Sequence, residues 1–338
     1  MPRNILFKVA VALTAFCVPI PGWSSPVSEI KILPMTFACQ QTTCDGELWL
    51  PEVKNTGENK PPVVVMAHGF GALRSWGLNL FAEHFVKAGF AVMQFDYRGF
   101  GKSGGMPRRV VDGKAHVKDW HAALDAVSRR DDVDVDRIGV WGISYSGGQA
   151  LIVAAEAADR VKAVSALVPF VSGFSSGLRY PVKYYPSASW YAIRDLIRSD
   201  DQEPVYVPMI SKDSFAALVC PECYSGYKKL MAENEEGENK VAARVFLDLP
   251  FWSPGSYVEK IVAPILIIGA RNDGLIPVEK LRDVSKSIKN GEYIELENAD
   301  HFSPNTDNDF KLVVARQVDF FKKHPDYVPT SAQSRIVS

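Results

Sequence analysis

Apolar positions along this chain recur with two periods. Pro62 to Ala67 (PVVVMA) is an unbroken, β-branched run, the pattern of a strand buried on both faces. Trp76 to Ala88 follows with helical spacing, and Phe90 to Phe95 reads as the next strand. Val117, Trp120, Leu124 and Val127 fall on one face of an amphipathic helix. The alternation continues with a strand over Arg137–Trp141, a helix containing Gln149–Ala158, and strands over Val161–Val168, Pro264–Ile268 and Glu292–Leu296. Phe310, Val313, Val314, Gln317 and Phe321 trace the inner face of a last helix. Regular β and α alternation predicts an α/β fold, a doubly wound, mostly parallel sheet with helices on both faces.

Two stretches leave this rhythm. Residues 1–25 carry Arg3 and Lys8, an apolar core over Val9–Ile20 and small residues after Pro21, the layout of a secretory signal. The core is shorter than the roughly 20 apolar residues of a membrane span. The expected mature chain therefore has no membrane span and is secreted or periplasmic. Residues 170–255 show helical patches, no clear βαβ unit, and aromatic clusters such as Tyr180, Tyr184, Tyr185, Trp190 and Tyr191. Most of these aromatics are expected to form the segment's own small core, with a few lining a pocket. The predicted organisation is a core of 26–169 and 256–324, with 170–255 inserted as a helical lid over the crevice at the strand ends. The acidic run Glu233–Glu238 reads as a solvated loop.

Charge and cysteine content narrow the classes. Lys plus Arg is 38 and Asp plus Glu 39, so the net charge is −1 and no polyanion-binding face is advertised. Nucleic acid is not expected as a partner. Beyond Cys17 the cysteines are Cys39, Cys44, Cys220 and Cys223. Cys39 and Cys44 bracket a hairpin-like turn that a disulfide could clip. Cys220-Pro-Glu-Cys223 lacks the further ligands of a zinc site and the βαβ setting of a redox pair, which favours structural disulfides. Four cysteines allow three pairings, and all three stay open.

The chemistry gathers where predicted strands end. Gly142-Ile-Ser144-Tyr145-Ser146-Gly147-Gly148 lies where the Arg137–Trp141 strand turns into a helix. A serine at such a tight turn needs small neighbours, and the helix N-terminus there favours developing negative charge. In this it resembles the α/β-hydrolase superfamily, whose elbow is G-x-S-x-G, although Ser146 stands where the second glycine is expected. The G-x-S-Y-x-G form is similar to the Xaa-Pro dipeptidyl-peptidase and acyl-esterase branch. A register shifted by two would make Ser146 the nucleophile; retention of Gly142 favours Ser144. Asp273 follows the Pro264–Ile268 strand and His301 the Glu292–Leu296 strand, in the order Ser, acid, His. The resemblance implies a triad of Ser144, Asp273 and His301, with Asp300 as the rival acid. It also implies an oxyanion hole from the backbone N–H groups of Phe70, in His68-Gly69-Phe70-Gly71, and of Tyr145. His68 reads as structural and the Asp96–Ser103 loop as scaffold; His84, His116, His121 and His324 have no metal-like spacing.

Taken together, the motifs predict a serine hydrolase that cleaves a carboxylic ester through an acyl-enzyme, on a small-molecule acyl substrate with an apolar portion. No metal or organic cofactor is implied. The alternatives are an Xaa-Pro dipeptidyl-peptidase, an acyltransferase or thioesterase of the same fold, and an inactive binding protein on a hydrolase scaffold. The peptidase needs a carboxylate to hold the substrate amine, for which Glu222 is a candidate that the sequence does not place.

Overall fold

A computed structural model describes residues 30–52, 60–199, 202–231, 238–306 and 309–324. The expected signal at 1–25 and residues 233–237 of the acidic run lie outside the described residues. The strands are β1 (Lys31–Cys39), β2 (Thr42–Leu50), β3 (Pro62–Ala67), β4 (Ala91–Phe95), β5 (Asp134–Ile143), β6 (Val161–Leu167), β7 (Tyr206–Pro208), β8 (Lys240–Ala242), β9 (Ile265–Ala270) and β10 (Gly291–Leu296). The helices are α1 (Leu78–Lys87), α2 (Gly113–Val127), α3 (Tyr145–Glu156), α4 (Gly173–Gly177), α5 (Tyr185–Ile197), α6 (Cys223–Leu230), α7 (Val245–Asp248), α8 (Val278–Ser285), α9 (Ser303–Thr306) and α10 (Asp309–Lys323). Among them, no helix is long and apolar enough to cross a membrane.

Eight strands form one sheet in the order β1-β2-β4-β3-β5-β6-β9-β10. The neighbours from β4 to β10 run parallel, and the β1–β2 hairpin joins the edge antiparallel. Continuous apolar runs arise because successive residues feed opposite cores. Val63, Val65 and Ala67 pack with Trp120 and Leu151 on one face. Val64 and Met66 pack with Phe81, Phe85 and Phe321 on the other. Gly139 is required where the Phe321 ring presses on the sheet, since a Cβ there would lie 2.5 Å from it.

The predicted strands sit where expected, with shifted ends. β5 begins at Asp134 and runs to Ile143, and β9 extends to Ala270. The inserted segment holds the short helices α4, α5, α6 and α7 joined by long irregular stretches, together with the small antiparallel β7–β8 pair. Some of its aromatics follow the expectation, and others such as Trp190 and Phe251 stand exposed. Tyr184, Tyr191 and Phe215 cluster together, while Tyr180, Tyr185 and Phe246 reach a cavity. The disulfides are local, Cys39–Cys44 across the β1–β2 turn and Cys220–Cys223 at the start of α6. Chain order reverses at β3, which is flanked by β4 and β5. Residues 68–71 after β3 and Ser144 after β5 therefore flank the switch point, where ligands bind in such sheets.

Candidate active site

β5 ends one residue before Ser144, whose φ of 54° lies in the left-handed region. That conformation costs a non-glycine residue about 1–3 kcal/mol and persists only where its surroundings hold it. Here Ser144 N–H donates to Leu167 O (2.8 Å), and Ser144 O accepts from Phe170 N–H (2.8 Å). Space fixes the neighbouring glycines. A Cβ on Gly142 would lie 2.2 Å from Ser146 O, and one on Gly148 would lie 2.2 Å from Phe170 O. Ser146 points away from the crevice. Its buried hydroxyl accepts from Ile143 N–H (2.8 Å) and donates to Ala67 O (2.7 Å), tying the elbow to β3.

The two loops after β9 and β10 bring the acid and the imidazole to Ser144. His301 Nε2 lies 2.9 Å from Ser144 Oγ, and His301 Nδ1 lies 2.6 Å from Asp273 Oδ2. Asp273 Oδ1 is held by the N–H groups of Leu275 (2.8 Å) and Ile276 (2.7 Å), which leaves Oδ2 for the imidazole. Burial pushes the His301 pKa down, but the adjacent Asp273 outweighs it, with lesser help from Glu222 and Asp300, and the net shift is upward. Asp300 does not compete for the ring. Its Oδ1 accepts from Phe302 N–H and Ser303 N–H, both at 2.8 Å.

Phe70 and Tyr145 border the same cavity as Ser144. The loop carrying Phe70 is gripped from several sides. His68 donates to Gly69 O through Nδ1 (3.0 Å) and accepts from Tyr97 N–H at Nε2 (3.4 Å). Burial lowers its pKa to about 3, so it is a neutral strut, as expected. Buried Arg109 donates to Gly71 O (2.6 Å) and pairs with Glu238 at 3.2 Å. The last residue of the acidic run is thus a partner of a buried cation rather than a merely solvated charge. The Asp96 loop is scaffold: Ser103 Oγ donates to Asp96 O, and Arg74 N–H donates to Asp96 Oδ1.

Above Ser144 opens a cavity of about 380 Å³. Residues 170–250 supply most of its wall, including Phe170, Phe174, Leu178, Tyr180 and Phe246, and Leu275 and Ile276 close the side next to Asp273. Arg179 is the one charged residue in the wall among the described residues. Its guanidinium donates to Asp273 O (2.5 Å) and lies 3.5 Å from Glu279.

Residues 44–303 match the family profile of X-Pro dipeptidyl-peptidase (S15 family). The chain belongs to that family. The quorum-quenching protein AidA of Acinetobacter baumannii is 35% identical over 86% of this chain and 94% of its own. The polyketide transferase grgF of a Penicillium species is 23% identical over 84% of this chain and 95% of its own. The crystal structure of GrgF, an alpha/beta hydrolase, overlays with a TM-score of 0.73 at 22% identity, covering 88% of this chain and all of that one. Est1E of Butyrivibrio proteoclasticus, solved with ferulic acid bound, overlays with a TM-score of 0.59 at 20% identity, covering 86% and 98%. The fold of this S15-family chain is thus the α/β-hydrolase fold that its elbow motif implied.

Several residues around the site carry no sequence motif. Tyr227 Oη donates to Phe70 O (2.9 Å), and Glu222 Oε1 accepts from Gly274 N–H (2.7 Å). The sequence offered Glu222 only as a candidate holder of a substrate amine, and the fold puts it against the loop of Asp273. His116 is buried, stacked on Tyr97 at 4.1 Å and 3.3 Å from Tyr145 Oη, so it packs behind the elbow. Among the described residues the one metal-like grouping is Cys39, Cys44 and Asp119. The two sulfurs are bonded to each other, and Asp119 is engaged by Arg98. That donor set does not suit a metal.

Proposed function

We propose that this protein is a serine hydrolase that cleaves a carboxylic ester, with Ser144 as nucleophile, His301 as general base and Asp273 as its orienting carboxylate. The observation that carries this reading is the continuous relay from Asp273 through His301 to Ser144, opening into an apolar cavity. A hydroxyl is a poor nucleophile at neutral pH, so His301 Nε2 takes its proton as Oγ attacks the ester carbonyl. Phe70 and Tyr145 N–H groups receive the oxyanion, each worth about 3 kcal/mol in such sites. Collapse releases the alcohol with the proton from the imidazolium. Water, activated by the same imidazole, then frees the acid. The apolar wall receives the acyl portion, and residues 170–255 act as its lid.

The charge of the wall argues against the dipeptidyl-peptidase reading. A substrate ammonium calls for a carboxylate, whereas among the described residues the wall contains none, its one charged side chain being Arg179, and Glu222 lies outside the wall with Gly274 N–H on its Oε1. Acyl transfer differs only in what accepts the acyl group, and the likeness to a polyketide transferase keeps it as the second reading. We further propose export, on the basic and apolar layout of residues 1–25, with two disulfides fitting an oxidising compartment. The experiment sets p-nitrophenyl esters of rising acyl length against aminoacyl-prolyl anilides, with Ser144→Ala as blank. Ester turnover that varies with chain length and vanishes in the blank supports the esterase. Efficient anilide cleavage overturns it.

A further inference from the structure

Helix α6 and the turn before it touch three of the loops that build the site. Glu222, the residue before its first turn, accepts from Gly274 N–H (2.7 Å), one residue after Asp273. Gly226 lies so close to the ring of Phe302 that a Cβ would come within 2.1 Å of it, and Phe302 follows His301. Tyr227, buried, packs edge-on against that ring at 5.1 Å and donates from Oη to Phe70 O at 2.9 Å. The Cys220–Cys223 disulfide closes the turn that leads into the helix, and a Cβ on Gly274 would lie 2.9 Å from Cys220 Cβ. One short helix thus holds the oxyanion loop, the acid loop and the neighbour of the base.

We propose that α6 is the positioning clamp of the site, with Tyr227 setting the oxyanion loop and Glu222 setting the acid loop, and with the Cys-Pro-Glu-Cys disulfide fixing the clamp's start. This rests on Ser144, His301 and Asp273 acting as proposed above. Tyr227 holds the Phe70 carbonyl, in the peptide plane next to the one that carries the Phe70 N–H, while His68 holds Gly69 O of that donor's own plane, so Tyr227 limits how far the Phe70 N–H can swing. A misplaced donor stabilises the tetrahedral oxyanion less while leaving acyl binding in the cavity intact, so the loss belongs to kcat rather than KM. Glu222 acts on the other side. It braces the turn of Asp273, and with Asp273 and Asp300 it is one of the charged groups acting on His301.

The test uses p-nitrophenyl butyrate turnover, the rate of fluorophosphonate labelling, a boronic acid as tetrahedral mimic, and thermal unfolding. In Tyr227→Phe we expect kcat, labelling rate and boronate affinity to fall together by roughly tenfold, with KM within about twofold of the parent. In Glu222→Gln, which keeps an acceptor for Gly274 N–H but removes the charge, the acid limb of kcat/KM moves to lower pH. Glu222→Ala, which removes both, also lowers kcat. Parent-like kcat, labelling and pH profile in all three variants would overturn the clamp, whatever happens to the melting temperature. Turnover persisting in Ser144→Ala would instead overturn the nucleophile assignment, and the clamp with it.

Discussion

Ser144 Oγ faces His301 Nε2, whereas Ser146 Oγ turns back into the ends of β3 and β5. Their substitutions should therefore separate. Ser144→Ala should remove fluorophosphonate labelling and lower ester turnover at least about 10³-fold. Ser146→Ala should keep the label on Ser144 but cost about 1–3 kcal/mol of stability in urea unfolding, because buried Ile143 N–H loses its acceptor. His301 gives a second residue-scale prediction. The base must be neutral to act, and its pKa is raised above the ordinary 6.5. Activity should be full above that raised value and fall as pH drops through it, so the acid limb of kcat/KM should lie above pH 6.5. Asp273→Asn should move the limb down, since the largest upward influence is gone, and should lower kcat sharply. The candidate triad was legible in the sequence for a local reason. Ser144 directly follows β5, Asp273 comes three residues after β9 and His301 five residues after the more polar β10, and parallel strands end at the same edge of the sheet. Ser146 was legible only as an alternative, because its hydroxyl's direction depends partly on a carbonyl 79 positions away, beside its local contacts with Ile143.

At the scale of elements, β3, β4, β5, β6 and β9 announced themselves because burial on both faces leaves little room for polar residues. The β1–β2 hairpin was harder to delimit. β1 alternates exposed and buried positions along much of its length, and the tight turn at Gln40 takes a φ of 57°. The Cys39–Cys44 disulfide clips that turn beside the sheet edge, far from Ser144 in the strand order. Replacing both cysteines by alanine should lower stability by about 2 kcal/mol in urea unfolding while leaving the acyl-length preference unchanged. The pairing itself was not readable from the sequence. It follows from a two-residue turn that brings the strands together, and from the turn leading into α6, which places Cys223 beside Cys220.

For the whole molecule, the deciding feature is the cavity between the sheet edge and residues 170–255. Ala188 and Ala217, both nearly buried, stand in its wall. Ala217→Phe should fill part of the space and shift the preferred p-nitrophenyl ester toward shorter acyl chains, with long-chain esters losing at least about tenfold in kcat/KM relative to acetate. An unchanged chain-length profile would mean that the acyl group binds elsewhere. The sequence by itself determined the alternating layers, the mostly parallel sheet, the elbow, and the chain order Ser144, Asp273, His301. These depend on periodicity and on spacing along the chain, which neighbouring residues carry in full. Tertiary structure decided the rest: which serine meets the imidazole, the apolar wall with its single arginine among the described residues, and the grip of α6. Tyr227 and Phe70 are 157 positions apart, and Glu222 and Gly274 are 52 apart. Such contacts exist only once the sheet has closed and the inserted segment has folded back over it, so no local pattern along the chain encodes them.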